Sequence, residues 1–127
     1  MTWTRSELDL VGATAELRVS PRRADGALRP ATRVWVVRVG ADLYVRSWRG
    51  RDGAWFRAAR DQRRGRSSAG GVERDVAFVG AETDVEDAVD AAYREKYGRH
   101  SGHVEPMVSW PARDTTLKLV PRTGAAG

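Results

Sequence analysis

The residues of this 127-residue chain best suited to chemistry are guanidinium groups set beside indoles. Arg46, Ser47, Trp48 and Arg49 follow one another, with Arg51 and Trp55 a few positions on. If the segment up to Trp48 is extended, Arg46 and Trp48 share one face, because side chains alternate along a strand. Trp48 could then stack on a planar ring while Arg46 or Arg49 holds the ring's charge. Arg22, Arg23 and Arg29 flank an Asp25-Gly26 turn, where three guanidiniums could meet a phosphate through charge-assisted hydrogen bonds. Tyr93 and Tyr97, four residues apart on one helix face, and His100 just beyond them are the candidate proton donors, with His103 a second imidazole nearby. Plain packing competes for both tyrosines, for Trp35 and for Trp55, and a solvated loop competes for the arginine turn and the histidines.

The charge balance supports an anionic partner. Lys plus Arg number 22 against 17 Asp plus Glu, a net charge of +5, and every basic residue except Lys96 and Lys118 is arginine. The guanidinium fork matches phosphate and carboxylate better than an ammonium does. A small anionic molecule is the expected ligand; nucleic acid, suggested by Arg and Trp interleaving from Arg46 to Arg66, ranks well below it. The absence of cysteine removes disulfides and thiolate chemistry, and two histidines give a metal site little support, so none is expected. Gly-x-Ser-x-Gly, Walker and zinc-ligand spacings are absent. No apolar run is long enough to span a membrane, and Met1 to Arg5 has no signal-peptide core, so a cytoplasmic protein without a membrane is expected. With 41% hydrophobic and 31% charged residues, the composition is that of one folded domain over residues 1–127, in which 123–127 form a frayed tail.

The elements that must position these residues can be read from pattern. Thr4 to Glu7 is a capping box that opens a helix over 3–12, with Trp3 able to pack onto Leu8 and Gly12 at its end. Residues 16–20 alternate as a strand, and Pro21 stops it. Thr32 to Val39 and Leu43 to Trp48, rich in β-branched and aromatic residues, make a hairpin about Gly40-Ala41-Asp42. Residues 54–63 read as a surface helix, Gly65 to Gly71 as a flexible connection, and Val72 to Val79 as a strand. A second capping box, Thr83 to Glu86, opens a helix that runs to Tyr97, and its carboxylates Asp84, Glu86, Asp87 and Asp90 read as a solvated face. Residues 99–113 read as a long loop and Thr115 to Val120 as a closing strand. Strands predominate without regular helix alternation, which points to a mainly β, α+β domain: a small antiparallel split β-barrel with flanking helices.

Arg22 through Arg60, Gly70 to Val76 and Tyr93 to Tyr97 resemble a bacterial family known as a domain of unknown function (number 2255). Arg22 to Gly26, Arg29-Pro30, Val34 to Val37 and Asp42 to Ser47 are more distantly similar to flavin-binding split-barrel proteins, which include pyridoxamine-phosphate-oxidase-like proteins and deazaflavin-dependent reductases. That resemblance implies an isoalloxazine-type ring over the strands and its phosphate at a basic segment, here Ser47 to Arg51. The cofactor-binding residues would be Arg22, Arg23, Arg29, Arg46, Ser47, Trp48, Arg49 and Trp55. FMN or a deazaflavin coenzyme would reduce a small organic substrate. The alternatives are a cofactor-free pocket isomerising or cyclising an organic anion, and a nucleic-acid-binding module. The oligomeric state stays open, a homodimer included.

Overall fold

A computed structural model describes residues 2–98 and 101–122, the side chains of 101–103 excepted. Seven antiparallel strands form a nearly closed barrel flanked by four helices, in agreement with the mainly β expectation. The strands are β1 (Leu17–Pro21), β2 (Thr32–Val34), β3 (Val36–Val39), β4 (Asp42–Val45), β5 (Arg64–Ala69), β6 (Val72–Gly80) and β7 (Leu117–Pro121). Their order in the sheet is β2-β1-β5-β6-β7-β4-β3. The two outermost strands, β2 and β3, are separated in sequence by Trp35 alone. One run of chain therefore pairs with β1 up to Val34 and with β4 from Val36, and Trp35 is the seam of the barrel. The single strand expected over Thr32 to Val39 is thus two, because the ends of the twisted sheet need different partners.

The helices are α1 (Arg5–Gly12), α2 (Ala54–Gln62), α3 (Glu86–Tyr97) and α4 (Ser101–Val108). The first capping box forms: Glu7 N–H donates to Thr4 Oγ1 at 3.1 Å, and Thr4 N–H to Glu7 Oε1 at 2.9 Å. Trp3 is buried beside it and donates its indole N–H to Leu119 O at 2.9 Å, which ties α1 to β7. The second box does not form. Residues Thr83–Val85 are a 3-10 turn and α3 begins after Val85 with no side-chain cap.

Two further expectations change. Residues 64–69 form β5, between β1 and β6, rather than a flexible connection. Residues 101–108 form α4 within the expected loop, where Val104, Met107 and Val108 pack against α3.

Two apolar clusters result. One fills the barrel with Leu17, Val19, Leu43, Val45, Val76 and Leu119 among others, capped by Leu8, Val11 and Phe56 from α1 and α2. The other lies outside, where Val37 and Tyr44 meet Val89, Tyr93, Tyr97 and Met107 of α3 and α4. The alternation of β4 explains the division. Leu43 and Val45 point into the barrel, and Tyr44 and, one position beyond the strand, Arg46 point to the helices.

Candidate functional site

Beyond β4 the chain leaves the sheet at Ser47 and turns through Trp48 and Arg49 into a 3-10 turn, Gly50–Asp52. Gly50 has φ +63°, a left-handed conformation that favours glycine, and a Cβ there would lie 2.8 Å from the Pro111 ring. Gly53 then begins α2 as its N-cap, with no side chain capping the helix. The first N–H groups of a helix have no intrahelical acceptor, so α2 presents uncapped donors and a positive dipole end.

Ser47, Trp48, Arg49, Gly53, Ala54 and Trp55 wall a cavity of about 470 Å³, together with Glu16, Thr32, Arg33, Val34, Trp35, Arg46 and Met107. That volume suits a small-molecule site. Trp48 is half exposed, and Trp35 and Trp55 are partly buried. Ser47 is 1% exposed, yet its Oγ has no hydrogen-bond partner among the described residues. A buried hydroxyl without a partner costs about 1–3 kcal/mol, so this one is an anomaly in an otherwise satisfied interior. Its backbone N–H is held by Thr115 Oγ1 at 2.8 Å, and Gly53 packs so closely that a Cβ there would stand 2.3 Å from the Oγ.

The cavity brings together Arg46, Ser47, Trp48, Arg49 and Trp55 of the expected cofactor-binding set. Arg22, Arg23 and Arg29 are not in its wall. Arg22 donates to Gly26 O at 2.8 Å and pairs with Asp75 at 3.4 Å, while Arg23 and Arg29 are exposed. Arg51 is also elsewhere, paired with Asp114 at 2.7 Å. Arg46 borders the cavity but its guanidinium is spent on the fold. It donates to Thr116 Oγ1 at 2.9 Å, Asp90 Oδ1 at 2.5 Å, Met107 O at 2.8 Å and Glu86 O at 3.2 Å, and lies over the Tyr93 ring. The carboxylates read as solvated are accordingly partnered: Glu86, Asp87 and Asp90 all pair with Arg113, and Asp90 holds Arg46 as well. Of the four, Asp84 alone makes no ion pair among the described residues, and it is exposed.

Tyr93 and Tyr97 are not in the cavity wall either. The Tyr93 hydroxyl donates to Trp35 O at 3.1 Å, and the Tyr97 hydroxyl to Ala15 O at 2.7 Å and Val36 O at 3.3 Å. Lys96 adds a 2.6 Å bond to Val36 O. These side chains satisfy carbonyls at the seam, where the strand changes partners, and Tyr97 stacks on Trp35 with ring centroids 3.9 Å apart. Burial pushes the Tyr97 hydroxyl up to about 12 and the Tyr93 hydroxyl higher still, so both stay protonated donors. His100 lies outside the described residues, as does the side chain of His103.

Burial also pushes Lys96 down, to about 8 from an ordinary 10.5. Between these values the unfolded chain binds a proton that the folded chain has released, so stability is expected to rise from pH 8 to about 10. Above pH 10 the sign reverses, because unfolded tyrosines ionise while folded Tyr97 holds its proton to about 12. Urea melts over this range should show the maximum, and Lys96→Met should flatten its rising side. A wild-type profile that falls steadily from pH 8 would contradict the assignment.

The cavity residues missed in sequence are Glu16, Thr32, Arg33, Val34, Gly53, Ala54 and Met107. Gly53 had a legible signal: a glycine in the N-cap position before an apolar helix leaves the first turn uncapped. Arg33 and Glu16 had none, since each reads as an ordinary exposed strand residue.

Solved structures share this fold. One is HutZ, described as the heme storage protein of Vibrio cholerae, with 11% identity and a TM-score of 0.63, covering 98% of this chain and 93% of that one. A candidate pyridoxamine 5′-phosphate oxidase of Listeria innocua has 11% identity and a TM-score of 0.62, covering 91% and 90%. An F420 reductase has 16% identity and a TM-score of 0.59, covering 95% and 97%. At such identities the likeness is one of fold, and it bears out the split-barrel resemblance. No curated protein matches the sequence. Among the described residues no helix is long and apolar enough to cross a membrane. Residues 7–119, nearly the whole chain, match the family described as uncharacterized protein conserved in bacteria (DUF2255), and the chain belongs to that family.

Proposed function

We propose that the cavity binds a planar, anionic ring cofactor of the flavin or deazaflavin class and that the protein uses it to reduce a small organic substrate. The carrying observation is the Ser47 hydroxyl, buried, without a hydrogen-bond partner among the described residues and set in the cavity wall where α2 opens. Oriented N–H groups, a hydroxyl and a guanidinium at one end of a cavity are donors arranged for a phosphate or similar anion. Arg49 is exposed beside them, and the indoles of Trp48 and Trp55 supply faces for a flat ring. Pyridoxamine-phosphate-oxidase-like and F420 reductase neighbours of the same fold favour a ring of this class.

The bound ring would supply the hydride, with its electrons coming from a cellular reductant. The protein's own residues bind and orient. Ser47 Oγ–H and the first N–H groups of α2 fix the anion, and Arg49 neutralises it. Trp35, stacked on Tyr97 and with its carbonyl held by the Tyr93 hydroxyl, braces the cavity wall. Tyr93 and Tyr97 thus support the site from behind.

FMN, FAD and coenzyme F420 titrated against the purified chain should quench or shift the cofactor's fluorescence. Ser47→Ala and Arg49→Ala should each weaken FMN binding about tenfold, the value of one hydrogen bond to a charged group. Ser47→Ala should also leave the empty protein no less stable, or more stable by about 1 kcal/mol, because it deletes an unsatisfied buried group. No binding of any of the three, or binding indifferent to both residues, would overturn the proposal. A heme-type absorption spectrum on isolation would replace it with the chemistry of the storage-protein neighbour.

A further inference from the structure

A second cavity, of about 370 Å³, adjoins the first and is lined by Glu16, Arg18, Arg33, Ser68 and Ala69. Glu16 and Arg33 belong to both walls, so the two spaces meet at these side chains. Arg18 on β1 and Arg33 on β2 are register partners, flanked by the buried pair Leu17 and Val34. Both therefore point outward and stand directly opposite, with Cβ atoms roughly 5 Å apart, where like charges destabilise the strand pair. On the β5 side Ser68 is opposite Arg18, which completes a row of Arg33, Arg18 and Ser68 across three strands.

Four other arginines on this sheet or beside it are answered by carboxylates: Arg22, Arg38, Arg66 and Arg74. Arg66 pairs with Asp75 at 3.1 Å and Glu73 at 3.5 Å, Arg22 with Asp75, and Arg74 with Glu7. Arg18 and Arg33 make no side-chain hydrogen bond or ion pair among the described residues. Glu16, next to both, makes none either, so the one carboxylate in the cavity lies close by without neutralising the pair.

We propose that this second cavity is an anion subsite, which takes a second phosphate or carboxylate on a tail of the ligand whose ring and first anion occupy the larger cavity. The ligand class is then a ring compound with two separate anionic groups, the tail passing Arg33 to reach Arg18 and Ser68. The ring half of this inference rests on the function proposed above; the arginine pair stands by itself. Glu16 sits at the junction as a resident negative charge that opposes the tail, which sets the direction of its variant. Removing it strengthens binding, whereas removing Arg18 weakens it.

Because Arg18 lines only the second cavity and Ser47 and Arg49 only the first, their variants separate the two. The test uses the full chain with four probes: riboflavin, FMN and FAD by fluorescence, and inorganic pyrophosphate alone by calorimetry. Arg18→Gln should weaken FAD and pyrophosphate about tenfold and leave FMN unchanged. Glu16→Gln should tighten both pyrophosphate and FAD. Arg18 is an exposed strand residue facing a like charge, so Arg18→Gln should melt no lower than wild type, and a melt beside each titration verifies this. FAD and pyrophosphate affinities indifferent to Arg18→Gln overturn the subsite, and if FMN binding then still depends on Ser47 and Arg49 the ring site survives alone. Pyrophosphate binding that needs Arg18, in a protein that takes no flavin, supports the subsite and removes the ring reading. Binding of no probe at all overturns both.

Discussion

Arg46→Met is expected to destabilise the protein by about 3–5 kcal/mol, the usual cost of removing one partner from a buried ion pair. For a chain of this length that lowers the melting temperature by roughly 10–20 °C. Arg46 is 1% exposed, and its guanidinium donates to four acceptors drawn from distant segments: Asp90, the carbonyls of Met107 and Glu86, and Thr116 Oγ1. Methionine fills much of the volume but makes none of these four hydrogen bonds. Asp90 keeps its 2.9 Å bond to Arg113, which places the loss toward the lower end. Thr116 Oγ1 keeps its own bond to Arg113 O at 2.7 Å, but as donor, so its acceptor side remains open. Since the network joins the end of β4 to α3, α4 and the approach to β7, the cavity wall should loosen with the fold. Thermal and urea melts of the unliganded variant decide the matter. An Arg46→Met protein that melts like wild type but fails to bind FMN would make Arg46 a ligand contact instead.

Gly53→Ala should lose about 1–3 kcal/mol, the range for forcing a methyl group into a packed interior, and weaken FMN binding by tenfold or more. The backbone raises no objection, since φ is −62° at this N-cap. The cost is a collision. The new Cβ would stand 2.3 Å from Ser47 Oγ and 3.4 Å from Gly50 O. Either the hydroxyl rotates out of its position in the anion end or the first turn of α2 moves away. The double variant Ser47→Ala/Gly53→Ala separates these effects. It should recover most of the lost stability, because the obstructing oxygen is gone, and should not recover binding, because the donor is gone too. Urea melts and FMN titrations of the two single variants and the double complete the cycle. A double variant as unstable as Gly53→Ala alone would show that the helix, not the hydroxyl, takes the strain.

Local pattern carried far where it had backbone geometry to act on. The Thr4 to Glu7 box forms as read because a side chain three positions away is always within reach at a helix start. Thr83 to Glu86 has the same letters, yet the chain prefers a 3-10 turn there, because α3 is positioned by Val89, Tyr93 and Tyr97 against the barrel wall rather than by its first turn. Arg64 to Ala69 has hardly any β-forming side chain and was legible only as a flexible stretch. It is a strand because β1 and β6 both offer it a ladder, and Gly65 is required where Ser20 O would come within 2.5 Å of a Cβ. Residues 101–108 contain Gly102 and Pro106 and read as loop, and α4 owes its helix to the apolar surface it covers on α3.

Composition and spacing by themselves determined that the fold is mainly β with flanking helices, that nearly all its basic side chains are guanidiniums, and that Ser47, Trp48, Arg49 and Trp55 stand together. Those are properties of strand and helix periodicity and of neighbours along the chain. Tertiary structure decided which arginines are available. Arg46 became a buried strut and Arg22 an ion pair, while Arg18 and Arg33 came to face each other across two strands and the Ser47 hydroxyl was left without a hydrogen-bond partner among the described residues. A side chain's availability depends on what distant segments bring to it, and sequence separation carries no trace of that.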